Sequence, residues 1–169
     1  MSKRIATYLS VASMAFLAAC SSTKLDNTSD AVAKPAAEMP ASAVAPVVAD
    51  HLNPNSLIST QRSVYFDFDQ FVIKSEFNAL VERQGKYLAG MPSLSIRVEG
   101  NADERGGREY NLALGQKRAE AVVRALKVYG VSDKQVEPVS FGKEKPKALG
   151  HDEAAWAENR RVDLVYPTK

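Results

Sequence analysis

Cysteine, histidine and tryptophan are scarce in this chain: its 169 residues include one cysteine, Cys20, two histidines, His51 and His151, and one tryptophan, Trp156. A lone cysteine excludes an internal disulfide, so any exported part must be held together by packing alone. Two histidines far apart in sequence, and no second thiol, offer neither the clustered ligands of a zinc site nor a nucleophile paired with a base. No cofactor or metal is expected. Long apolar runs are missing as well: the one uncharged stretch of note, 5–19, falls short of the roughly 20 residues that a spanning helix requires. Nor is there an excess of one charge. The chain has 22 Lys and Arg against 20 Asp and Glu, and without Lys3 and Arg4 the count is 20 against 20. A chain so balanced lacks the basic field that gathers phosphates, which argues against nucleic acid as a partner.

Lys3 and Arg4 ahead of the apolar stretch give the N-terminus the layout of a secretory signal. The stretch ends Leu17-Ala18-Ala19-Cys20 and resembles the lipobox of bacterial lipoproteins. That resemblance implies removal of residues 1–19 and lipidation of Cys20. Each buried acyl methylene contributes about 0.8 kcal/mol, so two or three chains hold a protein on a membrane without crossing it. In similar lipoproteins an aspartate after the cysteine marks retention in the inner membrane. Ser21 stands there instead, which implies the outer membrane, with the folded part in the periplasm. Residues 20–60, rich in Ala, Ser, Pro and Asp and without helical or strand period, read as a flexible tether. Such a segment averages roughly 35 Å as a coil and reaches roughly 130 Å when pulled straight.

Periodic sequence begins after Gln61, and residues 61–169 are expected to form one domain. A β-branched and aromatic run at 63–68 predicts a strand. Phe77, Leu80, Val81, Tyr87 and Leu88 share a helical stripe over 75–89, which Gly90 and Pro92 end. In 94–100, Leu94, Ile96 and Val98 alternate with Ser95, Arg97 and Glu99, the period of a strand with one face buried. A polar turn at 101–107 leads to the longest helix, 108–129, which buries Ala119, Val122, Val123 and Leu126 and stops at Gly130. A strand at 136–141, a short helix capped by Asp152 and running to Glu158, and a last strand at 162–166 complete the order βαβαβαβ. This pattern predicts an α/β two-layer sandwich, a mixed sheet with helices on one face.

Side chains able to carry function are few. Asp67 and Asp69 at a strand end could suggest a magnesium-dependent phosphatase, but no basic phosphate loop follows them, and polar residues at a strand end account for them as well. The turn 101–107 is more informative, since Asp103 sits in it, and Asn111, Leu114 and Arg118 on the next helix are spaced three and four apart and share one face near it. By themselves an Asp and an Arg so placed fit a structural ion pair or a solvated face as readily as a binding site.

Asn111-x-x-Leu114-Gly115-x-x-Arg118-Ala119-x-x-Val122, together with Tyr65-Phe66-Asp67-Phe68-Asp69, Gly100-Asn101-Ala102-Asp103-Glu104-Arg105-Gly106 and Asn159-Arg160-Arg161, resembles the OmpA-like domain family over 63–166. Gly115 departs from the Ser common in that motif, and Gly106-Gly107 from the Gly-Thr-Pro run common in its lipoprotein members. The resemblance implies non-covalent binding of the stem peptide of peptidoglycan, in particular the zwitterionic end of meso-diaminopimelate, with no enzymatic step. Asp103 would accept from the ligand ammonium and Arg118 would hold its carboxylate through a planar fork. Phe68 and Leu114 would wall the pocket, Asp69 would contribute its backbone N–H, and Asn111 would fix the turn to the helix. Asp103→Ala and Arg118→Ala are expected to lose the wall while staying folded. For a lipid-anchored monomer the resemblance also implies a periplasmic partner, TolB, and recruitment by the Tol proteins at cell division. A structural lipoprotein that binds a protein partner, without wall contact, is the alternative.

Overall fold

Ile96 and Val98 point to one side of their strand and are buried there, so that side is where the helices must pack. The computed structural model describes residues 48–168. The lipobox, Cys20 and most of the expected tether therefore lie outside the described residues. Strands β1 (Ser63–Tyr65), β2 (Ile96–Asn101), β3 (Val136–Gly142) and β4 (Arg161–Val165) form a sheet in the order β1-β4-β2-β3. β4 runs antiparallel to both neighbours, with Val162 opposite Val64 and Leu164 opposite Val98, whereas β2 and β3 are parallel, with Ile96 opposite Val136. Parallel neighbours need a long crossover. Helix α3 (Arg108–Val128) supplies it, α2 (Asn78–Ala89) precedes β2, and α4 (Glu153–Asn159) leads into β4. The mixed α/β sheet is the one expected from the sequence.

Val64, Leu88, Val98, Ala119, Val122, Leu126 and Val162 are wholly buried between sheet and helices. Burying a valine or leucine side chain contributes about 1.5–3 kcal/mol relative to exposure. A one-residue slip of any strand would turn these groups to the other side, so the apolar face sets the register. Helix and strand come closest where both residues are glycine: a Cβ on Gly100 would lie 1.9 Å from the carbonyl oxygen of Gly115. This contact draws the first half of α3 against the end of β2.

Four expectations are corrected. The first strand ends at Tyr65 rather than Phe68, because Asp69 has φ +56°, outside any extended conformation, and Gln70 N–H closes a turn on the Asp67 carbonyl at 3.2 Å. The strand expected at 94–100 runs instead from Ile96 to Asn101. Glu99, expected on a solvated face, is fully buried, since the stretch after β3 brings Lys145 onto it and Arg97 pairs with it at 3.0 Å. The expected tether, finally, does not reach residue 60. A short helix, α1 (Leu57–Thr60), buries Ile58 in the core, and buried Gln84 donates to the carbonyls of Ile58 and Gln61 at 3.1 and 2.7 Å. His51 joins this attachment through Tyr87 Oη, 2.7 Å from its Nδ1, and by stacking on Tyr166 at 5.5 Å.

Candidate functional site

At the Asn101 end of the sheet several chain segments leave the core together: the turn after β1, the polar turn after β2, the end of β3 and the start of β4. The first half of α3 closes the same end. Between them lies a pocket of about 120 Å³ lined by all six residues singled out from the sequence, Phe68, Asp69, Asp103, Asn111, Leu114 and Arg118. Ala102, Arg105, Gly106 and Tyr110 complete the lining. Asn111, Leu114 and Arg118 reach it because their spacing places them on one stripe of α3. Gly106 has φ +90°, a conformation that a side chain resists, and it lets the turn fold back so that Asn111 Nδ2 donates to the Arg105 carbonyl at 2.8 Å.

Arg118 has no exposed surface. Its guanidinium donates to three backbone carbonyls, from Nε to Gln70 at 2.8 Å, from Nη1 to Asn101 at 2.9 Å and from Nη2 to Asp67 at 3.0 Å. Among the described residues no carboxylate comes within ion-pair distance of it. Burial pulls the group down to about 10, with the charge of Asp103 opposing the shift. It is still a full cation at neutral pH, held by dipoles and lacking an anion of its own.

Asp103, also buried, is by contrast crowded with donors. Its Oδ1 accepts from the Arg105 amide at 3.1 Å and from Arg105 Nε at 3.2 Å, and its Oδ2 accepts from Arg105 Nη2 at 2.7 Å and Arg160 Nη1 at 3.4 Å. Burial raises its carboxyl, but the hydrogen bonds and charge of Arg105, aided by Arg160, outweigh that and leave it below the ordinary carboxylate range. The Arg105 guanidinium lies between two rings, 4.2 Å from that of Phe68 and 4.1 Å from that of Trp156. Cation–π contacts of this kind add to its hold. Trp156 Nε1 in turn donates to Glu104 at 2.8 Å, and Glu104 meets His151 Nδ1 at 2.8 Å.

Asp67 and Asp69, considered together from sequence as a metal-binding pair, turn to different partners: Asp67 pairs with Lys74 at 3.6 Å, and Asp69 accepts from the Tyr110 hydroxyl. Sequence reasoning missed Arg105 and Tyr110 as lining residues. Arg105 stands two residues from Asp103, and that closeness was the available signal.

The OmpA family matches residues 65–160 of the chain. A peptidoglycan-associated lipoprotein of Pasteurella multocida (strain Pm70) is 40% identical over 166 residues, which cover 98% of this chain and 100% of that protein. The crystal structure of the peptidoglycan-associated lipoprotein from Burkholderia pseudomallei is 58% identical, with a TM-score of 0.68 over 70% of this chain and 99% of that one. The C-terminal domain of Helicobacter pylori MotB shares the fold at 25% identity and a TM-score of 0.58, over 63% of this chain and 84% of that one. The chain belongs to the OmpA family and groups within it with the peptidoglycan-associated lipoproteins.

Proposed function

We propose that this pocket binds the zwitterionic end of meso-diaminopimelate in the peptidoglycan stem peptide, and that the protein thereby ties the outer membrane, through lipid on Cys20, to the cell wall. One observation carries the reading: a buried guanidinium without a carboxylate partner opens on the same small pocket as a buried aspartate. Arg118 receives the ligand carboxylate, supplying the anion its surroundings lack, and Asp103 takes the ammonium. Phe68 and Leu114 exclude water from these contacts, the Asp69 amide faces the ligand, and Asn111 holds the turn on α3. The site binds and makes no bond.

Arg118 ties together the carbonyls of Asp67, Gln70 and Asn101, so the expectation that Arg118→Ala stays folded has to be revised. Stranding buried acceptors costs about 1–3 kcal/mol each. The informative variants are Arg118→Lys, which keeps the charge and loses the fork, and Asp103→Asn, which keeps the shape and loses the charge. Both should reduce co-sedimentation with purified sacculi at least about tenfold, in line with the loss of a charge-assisted contact. Undiminished sedimentation of both variants, with native circular dichroism, would rule the pocket out.

A protein partner has support at the same end of the molecule. Phe68, Phe71, Val72 and Tyr110 are exposed there, Phe68 by 58% and Val72 by 65%. Apolar rims of this kind suit protein contacts. TolB, with the other Tol proteins at division, covers this rim in our reading, so wall and TolB exclude each other. A stem peptide that leaves TolB binding unchanged at saturation would refute the overlap.

A further inference from the structure

The hydrogen bonding of Asp103 leaves its proposed ligand a difficulty. A carboxylate offers about four lone-pair sites, and here four donors already occupy them, three from Arg105 and one from Arg160. An ammonium can reach Asp103 only if a donor leaves. Arg160 is fixed, being buried and spending its other nitrogens on the Phe66 carbonyl at 3.1 Å and on Glu153 at 2.6 Å. Arg105 is freer: its side chain is 32% exposed, and Glu153 Oε2, itself exposed, stands 3.8 Å from its Nη1 as an alternative partner.

We infer that Arg105 is a built-in stand-in for the ligand cation, which occupies Asp103 in the empty site and swings toward Glu153 when an ammonium arrives. This rests on the proposed function and adds a specificity-determining residue to it. The stand-in keeps a buried carboxylate paired while the pocket is empty, and it makes entry an exchange of one cation for another. A neutral group cannot drive that exchange, because it would leave the buried Asp103 with Arg160, at 3.4 Å, as its one charged donor.

Trp156, the only tryptophan in the chain, stacks on Arg105 and therefore reports the swing. The probe is the tripeptide L-Ala-γ-D-Glu-meso-diaminopimelate, titrated into the full chain with heat and Trp156 fluorescence recorded in parallel. Saturation should change the emission of the wild-type protein, and the analogue with hydrogen in place of the terminal ammonium should not. Arg105→Gln should bind the tripeptide about tenfold more tightly, the worth of one hydrogen bond between charged groups, and should lose the ligand-induced change in emission. Arg105→Met, which retains the packing between the rings, replaces it if the Gln variant melts early. A tripeptide that binds without altering Trp156, or that binds the folded Arg105 variant no more tightly than wild type, overturns the stand-in and leaves the pocket in place. Absence of binding to wild type overturns the pocket itself.

Discussion

A Cβ added to Gly115 would lie 2.4 Å from Ser140 Oγ and 2.9 Å from the Gly100 carbonyl oxygen, so α3 reaches β2 only because neither partner carries a side chain. Gly115→Ala should cost about 1–3 kcal/mol and Gly100→Ala the upper end of that range or more, read as a fall in the urea midpoint. At Asp103 the folded-state value lies below the ordinary carboxylate range. Its contribution is thus complete above the unfolded value of about 3.9 and is lost as pH falls through the lower, folded value. Asp103→Asn should be less stable than wild type at neutral pH yet show a flatter acid limb below about pH 4 in urea titrations at stepped pH. Individual residues were legible in sequence to different degrees. Asn111, Leu114 and Arg118 could be grouped because helical spacing alone brings them to one stripe, and Asp103 because the turn leads straight into that helix. The aromatic clamp on Arg105 could not be, since Trp156 arrives from a distant helix. Nor could the burial of Glu99: a two-residue period says which side of a sheet a residue faces, not which loop comes to rest there.

Of the two helices that bear on the pocket, α3 and α4, the shorter is α4. It depends on Asp152, whose Oδ1 accepts from the Ala155 amide at 2.9 Å, and it carries Trp156 and Glu153 before ending at Arg160. Asp152→Ala should cost about 1 kcal/mol, and because the helix positions Trp156, the tryptophan emission of the folded protein should change as well. This cap was readable from sequence: an aspartate stands directly before the helix-forming run 153–159. Helix α1 was not. It has four residues in a segment whose composition resembles a linker, and it buries a single apolar side chain, Ile58, too little to create a period.

For the molecule as a whole, the boundary of the domain is the quantity that sequence misjudged. A protein beginning at residue 61 would lose the Ile58 anchor and leave buried Gln84 without the Ile58 carbonyl. It should be about 2–5 kcal/mol less stable than one beginning at residue 48, the range for removing a buried isoleucine side chain, as measured by urea unfolding of the two side by side. Among the described residues the attachment of 51–60 sits beside Tyr166, just beyond the Arg97–Val165 pair, whereas the pocket lies past Asn101, at the other end of β2. On the proposed function, tension between a lipid-held N-terminus and a wall-held pocket would therefore pass lengthwise along the strands. Their ladder bonds lie crosswise to such a pull, so the rungs joining β1 to β4 would share the strain at once in shear, not open singly in the manner of a zip.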